Sequence, residues 1–163
     1  MTVNLEQLTP EDEPDFAILL AATGRALADE LSAAMSKAGL TVRPSFGFVI
    51  RAVASEEPTI NRLAELLGAT KQAASKLADE VEQAGFIERF SNPQDRRSRR
   101  LRLTPAGKKV RSRALHTSER LEAELAEAVG ADAIAGCRAT LMALLARTGD
   151  VDSVLSRRAR MVW

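Results

Sequence analysis

The apolar positions of this chain recur mainly with the spacing of an α-helix. Leucine and methionine residues seven and four apart predict a first helix over about residues 15–38, which ends near Gly39. The same period, interrupted by glycine and proline, predicts five further helices. Four of them lie over residues 46–54, 60–67, 70–84 and 105–130, and the fifth ends near residue 147. The chain is therefore predicted to be mainly helical.

Two short runs depart from this helical period. Residues 86–90 and 100–103 suit β-strands, and the second alternates arginine with leucine strictly. Turn-forming residues at 91–93 lie between them, so the two runs predict a β-hairpin, or wing. The hairpin follows two short helices that surround Gly68, and this order predicts a helix-turn-helix with a wing.

The order of the elements predicts a winged helix-turn-helix flanked by N- and C-terminal dimerisation helices. We expect a mobile arm over 1–13, an N-terminal dimerisation helix over 14–42, the DNA-binding domain over 43–104 and C-terminal dimerisation helices over 105–163. Each flanking helix carries an apolar stripe with little to cover it in a chain that is only 4% aromatic. A second copy of the chain is the most economical cover, so we expect a homodimer.

The net charge of +1 conceals one strongly basic segment. Residues 1–30 hold seven acids and one arginine, whereas residues 86–113 hold ten lysines and arginines and two acids. Six of these arginines lie from Arg89 to Arg102, where Asp95 is the only acid. Such a density of fixed positive charge predicts a polyanionic partner, here double-stranded DNA.

The predicted helix over 70–84 carries the side chains that suit a major groove. Thr70 is expected to cap its N-terminus, and Lys71, Gln72, Ser75 and Lys76 to face outward. Glutamine can bond adenine with two hydrogen bonds, lysine can reach guanine or phosphate, and the hydroxyl residues permit close approach of the backbone. The alternative is an ordinary solvated surface helix.

The predicted wing carries Arg96, Arg97 and Arg99 as further candidate DNA-binding residues. Arg97 is expected at the hairpin tip, where it would enter the minor groove. Asp95 is expected to orient a neighbouring guanidinium, because a carboxylate that touched phosphates would be repelled. The alternatives are a self-repelling solvated loop and a winged-helix module that contacts protein without DNA, which would need fewer unpaired guanidinium groups.

Other classes of function find little support in the residues. A glycine-rich phosphate loop, a catalytic set of side chains and a cluster with metal-ligand spacing are all missing, so we expect no enzyme, no metal and no cofactor. His116 is the only histidine and Cys137 the only cysteine, and the latter is expected to be a small buried hydrophobe. Since no signal-peptide pattern and no long apolar run occurs, we expect a cytoplasmic protein without membrane contact.

Residues 60–70 and 77–89 follow the pattern of a known family. The most specific part is Asp-x-Arg at 95–97 followed by Leu-x-Leu-Thr-Pro-x-Gly at 101–107, because helix-turn-helix patterns alone are common. Over about residues 43–110 the chain resembles the winged-helix regulators of the MarR family. The flanking helices match that family in number, length and amphipathicity only.

The resemblance implies a homodimeric transcription regulator, often a repressor, that binds a pseudo-palindromic operator. It implies that the helix over 70–84 reads the major groove and that Arg97 enters the minor groove. Regulators of this kind are commonly released by a small, frequently aromatic or anionic effector. The resemblance places the effector pocket among residues 15–38, 45–54 and the start of 105–129 without assigning side chains, and the chain has no tyrosine to line it.

Overall fold

Six α-helices and a two-stranded antiparallel sheet make up the residues that the structure, a computed structural model, describes, which are 14–92 and 95–148. In chain order these are α1 (Phe16–Lys37), α2 (Pro44–Glu56), α3 (Ile60–Leu67), α4 (Lys71–Gln83), β1 (Ile87–Asn92), β2 (Asp95–Leu103), α5 (Pro105–Val129) and α6 (Ala131–Thr148). The predicted mainly α fold with a hairpin wing is confirmed. The expected arm over 1–13 and the segment after 148 lie outside the described residues.

Threonine side chains fix the starts of three helices. Thr59, Thr70 and Thr104 each accept a hydrogen bond from the amide three residues further on, at 3.3, 3.2 and 3.1 Å, and so cap α3, α4 and α5. A cap of this kind contributes about 1 kcal/mol. The local sequence therefore sets where α4 begins.

The hydrophobic core lies in the central part of the chain, between α2 and the start of α5. Val49, Leu63, Ala74, Val81 and Leu101 are fully buried there. The flanking helices differ, because many of their large apolar side chains remain exposed in the single chain. These are Phe16, Ile18, Leu19, Leu27, Leu115, Leu125, Val129, Leu141 and Leu144.

Cys137 lies on α6, and the prediction that it is buried is wrong for the single chain, where the thiol is exposed. The reason is that none of the side chains described on α6 is buried within one protomer.

Among the described residues no single helix is long and apolar enough to cross a membrane, although α5 and α6 together, across their 118° bend, have the required length and composition.

The wing is longer than the sequence pattern predicted. β1 and β2 pair from Ile87 opposite Leu103 to Asn92 opposite Asp95, with an irregularity at Ser91–Asn92. The predicted second strand began only at residue 100, because the charged residues before it show no apolar alternation. The backbone of Arg97 lies within β2, in the irregular stretch between the Asn92–Asp95 and Ser91–Arg99 pairs and close to the turn.

A tight joint connects the end of α4 to the start of α5. The Thr104 hydroxyl donates to the Gly85 carbonyl at 2.6 Å, and the Thr104 amide donates to the Phe86 carbonyl at 3.1 Å. A Cβ atom on Gly107 would lie 2.0 Å from that Phe86 oxygen. The Leu-Thr-Pro-x-Gly motif therefore has a structural reason, since only glycine permits this close approach.

Candidate nucleic-acid interface

The N-terminal half of α4 presents the predicted base-reading residues to solvent. Thr70, Lys71, Gln72 and Lys76 are exposed and Ser75 is half-buried. The opposite side of the helix is buried in the core through small residues, so the exposed side is rigidly supported. The structure thus brings all five predicted residues together at one helix end, where the helix dipole adds partial positive charge.

The acidic residues of α4 lie in its second half, and each is engaged by an arginine. Glu80 accepts a hydrogen bond from Arg43 at 2.7 Å. Asp79 and Glu82 both bind Arg89 of β1. Since Lys71 and Lys76 make no ion pair with a described residue, the free positive charge of α4 is concentrated at its N-terminal half.

Arg89 connects α4 to the wing. Its guanidinium binds Glu82, and its Nη2 donates to Asp79 Oδ1 at 2.6 Å. The Arg89 backbone amide donates to the second Glu82 oxygen at 2.9 Å. One carboxylate therefore holds both the main chain and the side chain of Arg89, which fixes the base of β1 against α4.

Arg100 connects the wing to the end of α2. Its Nε donates to the Glu57 carbonyl at 2.7 Å and its Nη2 to the Glu56 carbonyl at 2.8 Å. Glu57 has a left-handed backbone with a φ of 48°, which ends the helix and turns these carbonyls toward the strand. A main-chain bond from Leu101 to the Pro58 carbonyl, 2.9 Å long, adds to this attachment.

Arg102 is held on one face of the hairpin itself. Its Nε donates to Glu88 Oε1 at 2.7 Å, and its guanidinium carbon lies 5.0 Å from the centre of the Phe90 ring. Arg62 on α3 is likewise engaged, since hydrogen bonds to Glu56 and then Glu65 raise the pKa of its guanidinium. The guanidinium groups of both arginines thus have acidic partners within residues 43–104.

The arginine-rich segment thus divides into two groups. The side chains of Arg89, Arg100 and Arg102 have internal partners, whereas the side chain of Arg99 is exposed and makes no hydrogen bond or ion pair with a described residue. The side chains of the other predicted wing residues lie outside the described part. These are Asp95, Arg96 and Arg97.

A signal for this division was present in the sequence. Glu88 lies opposite Arg102 once an antiparallel hairpin is assumed, and Glu82 lies on the preceding helix. The carbonyl partners of Arg100 leave no such signal, because main-chain groups are not visible as residue types. Within the described residues, no group of three or more histidine, cysteine or acidic residues could hold a metal ion.

The sequence model of the MarR family matches residues 50–98, which run from α2 into β2. The predicted resemblance to the MarR family is confirmed. The match covers the helix-turn-helix and most of the wing, including α4 and the first part of the arginine-rich segment. No curated protein sequence matches the chain.

Three solved structures illustrate the similarity in fold. FabT of Streptococcus pneumoniae, solved in complex with DNA, is 18% identical, with a TM-score of 0.71 and coverage of 83% of this chain and 95% of that one. MepR of S. aureus, also in a DNA complex, is 19% identical, with a TM-score of 0.65 and coverage of 83% and 99%. The YusO protein of Bacillus subtilis is 25% identical, with a TM-score of 0.60 and coverage of 82% and 93%. The similarity in fold therefore extends well beyond the segment that matches the family.

Proposed function

We propose that this protein is a DNA-binding transcription regulator of the MarR type. The observation that carries the proposal is the N-terminal half of α4, where exposed Lys71, Gln72 and Lys76 stand at a capped helix end within a segment that matches the family. FabT and MepR, whose folds are similar, were both solved with DNA. Double-stranded DNA is accordingly the proposed partner.

In the proposed complex α4 lies in the major groove and the wing reaches the adjacent minor groove. Gln72 reads a base edge and Lys76 neutralises a phosphate, because an amide offers a donor and an acceptor while an ammonium offers charge alone. Arg97 enters the minor groove, with Arg96 and Arg99 at the nearby backbone and Asp95 orienting a guanidinium. The paired arginines Arg89, Arg100 and Arg102 position the wing without contacting DNA.

A homodimer is the proposed functional form, with residues 43–104 as the DNA-binding part and 14–42 and 105–163 as the dimer-forming parts. Nine large apolar side chains exposed on α1, α5 and α6 support this assignment. A two-fold dimer would present two copies of α4 to half-sites about 34 Å apart, one helical turn of DNA. A pseudo-palindromic operator follows from that symmetry.

We also infer from the MarR resemblance that the protein is a repressor that a small effector releases. The competing function is a winged-helix module that contacts another protein without DNA, and one selection experiment separates the two. Fragmented genomic DNA is passed over the immobilised protein, and bound fragments are sequenced. Enrichment of fragments with dyad symmetry, lost on raising the salt concentration, supports the proposal; uniform recovery of fragments without a shared sequence contradicts it.

A further inference from the structure

The turn between α2 and α3 is the place where the wing meets the helix-turn-helix. Glu57 ends α2 in a left-handed conformation, which is uncommon for a residue with a Cβ atom. The last carbonyl groups of a helix have no partner within that helix, and they carry partial negative charge. The carbonyl groups at this end of α2 therefore need donors from another element.

Arg100 of β2 supplies both donors. Its Nε and Nη2 atoms lie 2.7 Å from the Glu57 carbonyl oxygen and 2.8 Å from the Glu56 carbonyl oxygen, so one planar guanidinium spans two successive carbonyls. The main chain adds an antiparallel bridge between Thr59 and Arg100. An arginine holds two acceptors at once in a fixed fork, which the single ammonium of a lysine does not do. The guanidinium therefore fixes the direction of β2 relative to the end of α2.

Glu56 is also held by the first helix of the helix-turn-helix. Arg62 of α3 donates from Nε to Glu56 Oε1 at 2.6 Å and from Nη1 to Glu65 Oε2 at 2.8 Å. Glu56 thus contacts α3 through its carboxylate and β2 through its carbonyl. The direction of the wing is therefore set against α3 as well as against α2.

Arg100 is placed where a small rotation has a large effect at the turn of the hairpin. Arg99, the next residue toward that turn, has an exposed side chain without a hydrogen bond or ion pair to a described residue. A strand rises about 3.3 Å per residue, so the backbone of Arg97 lies about 10 Å beyond Arg100. A rotation of about 15° at Arg100 would move that backbone by about 2–3 Å, which is more than a hydrogen bond tolerates.

We propose that Arg100 determines the selectivity for minor-groove shape, as a positioning residue that does not touch DNA. Its two bonds to the end of α2 hold the wing at the angle at which Arg97 fits a narrow groove. Selection by groove shape then depends on Arg100, whereas the reading of base edges by α4 does not. This selectivity half rests on the proposed function. The structural half, in which Arg100 fixes the wing to the turn between α2 and α3, does not.

Amide hydrogen exchange, measured by NMR on the full chain without DNA, tests the structural half. The reporter is the Leu101 amide, which donates to the Pro58 carbonyl at 2.9 Å, and the reference is the Ala74 amide of α4, which donates to the Thr70 carbonyl at 2.9 Å. Arg100→Met removes both donors and should speed exchange at Leu101 at least about tenfold, with Ala74 unchanged. The structural half is wrong if Leu101 exchanges at the native rate, or if Ala74 accelerates as much as Leu101.

Fluorescence anisotropy with two DNA fragments tests the selectivity half. Both carry one site from the genomic selection, but the steps next to the base pairs read by α4 are AT-rich in one, with a narrow minor groove, and GC-rich in the other. The native chain should bind the AT-rich fragment at least about fivefold more tightly. Arg100→Met and Arg100→Lys should each reduce this ratio to about twofold or less, because neither side chain has the two-donor fork. The loss of affinity on changing the base pair that Gln72 reads should stay as in the native chain.

Arg51→Lys is the matched control for Arg100→Lys, since Arg51 is an exposed arginine of α2 that makes no ion pair with a described residue. It should keep the native ratio between the two fragments. Thermal unfolding of each variant establishes that it is folded before titration.

Three results would overturn the selectivity half. The first is a native ratio in either Arg100 variant, and the second is a native chain that binds both fragments equally. The third is an Arg100→Met protein that binds both fragments more weakly by the same factor with a smaller salt slope, because Arg100 would then be a phosphate contact. If the native chain binds no DNA at all, the proposed function fails with the selectivity half, and the exchange rates still decide the structural half.

Discussion

Substitution of Gly107 by alanine tests whether the joint between α4 and α5 is as tight as the structure indicates. The added Cβ would lie 2.0 Å from the Phe86 carbonyl oxygen and 3.4 Å from a Leu103 methyl carbon. Real Cβ atoms essentially never approach another heavy atom within 3.0 Å. Since the near atom belongs to the main chain, α5 must move away from the end of α4, and the bonds from Thr104 to Gly85 and Phe86 are strained or lost.

Two opposing effects determine the expected size of this destabilisation. Alanine in a helix is favoured over glycine by about 1 kcal/mol. Overpacking costs about 1–3 kcal/mol, and two weakened hydrogen bonds cost about 0.5–1.5 kcal/mol each. We therefore expect Gly107→Ala to lower the free energy of unfolding by about 1–5 kcal/mol, because the clash and the weakened hydrogen bonds outweigh the gain in helix propensity.

Gly47→Ala provides a matched control with the opposite sign. Gly47 is the fourth residue of α2 as Gly107 is the third of α5, but it is exposed and a Cβ there would meet nothing within 4 Å. The Gly47→Ala substitution should raise the free energy of unfolding by up to about 1 kcal/mol. Urea unfolding at one fixed protein concentration measures both variants, because a dimer's stability depends on concentration. A Gly107→Ala protein as stable as the native chain would refute the close approach.

Three further predictions concern DNA binding and assembly. Gln72→Ala should relax base preference at one operator position, whereas Lys76→Ala should weaken all sequences about equally and reduce the salt slope by roughly one unit, as anisotropy titrations at several salt concentrations would reveal. Arg97→Ala should weaken binding by about 1–3 kcal/mol on operators with a narrow minor groove. Asp95→Ala should also weaken binding, and tighter binding by this variant at every salt concentration would contradict the orienting role of Asp95. Leu141→Glu, which buries a charge in the proposed dimer surface, should yield monomers in sedimentation experiments and abolish operator binding with them.

Much of the fold was predictable because its signals are local. The helix period, the threonine caps and the Thr-Pro start of α5 specify boundaries within a few residues, and α3 begins and ends where the apolar pattern placed it. The first half of β2 was missed because a strand beyond the core edge carries no apolar alternation. Cys137 was expected to be buried because residues near it in the sequence are apolar. It is exposed because α6 makes few contacts within one protomer.

The candidate site was predictable to a lesser degree. The exposed residues of α4 follow from helix geometry once Thr70 is recognised as the cap, and the structure brings them together as expected. The number of arginines in the sequence, in contrast, overestimates the positive charge that is free to bind DNA. Arg89 and Arg100 are engaged by groups that are distant in sequence or belong to the main chain, and residue types alone do not reveal such partners.

Two arginines and Thr104 hold the second half of α4 and the residues directly after it. Arg43 engages Glu80, Arg89 engages Glu82, and the Thr104 hydroxyl donates to the Gly85 carbonyl just beyond the helix. α4 is thus attached to the start of α2, to the wing and to α5 at once, while its N-terminal half carries no such attachment. A rotation of α4 alone would break all three contacts, whereas a movement of residues 43–104 together with α5 would preserve them. In the proposed homodimer, a change in the flanking helices would therefore reach DNA as a change in the spacing of the two DNA-binding parts, and Lys71 and Lys76 of α4 would keep their geometry within each half-site.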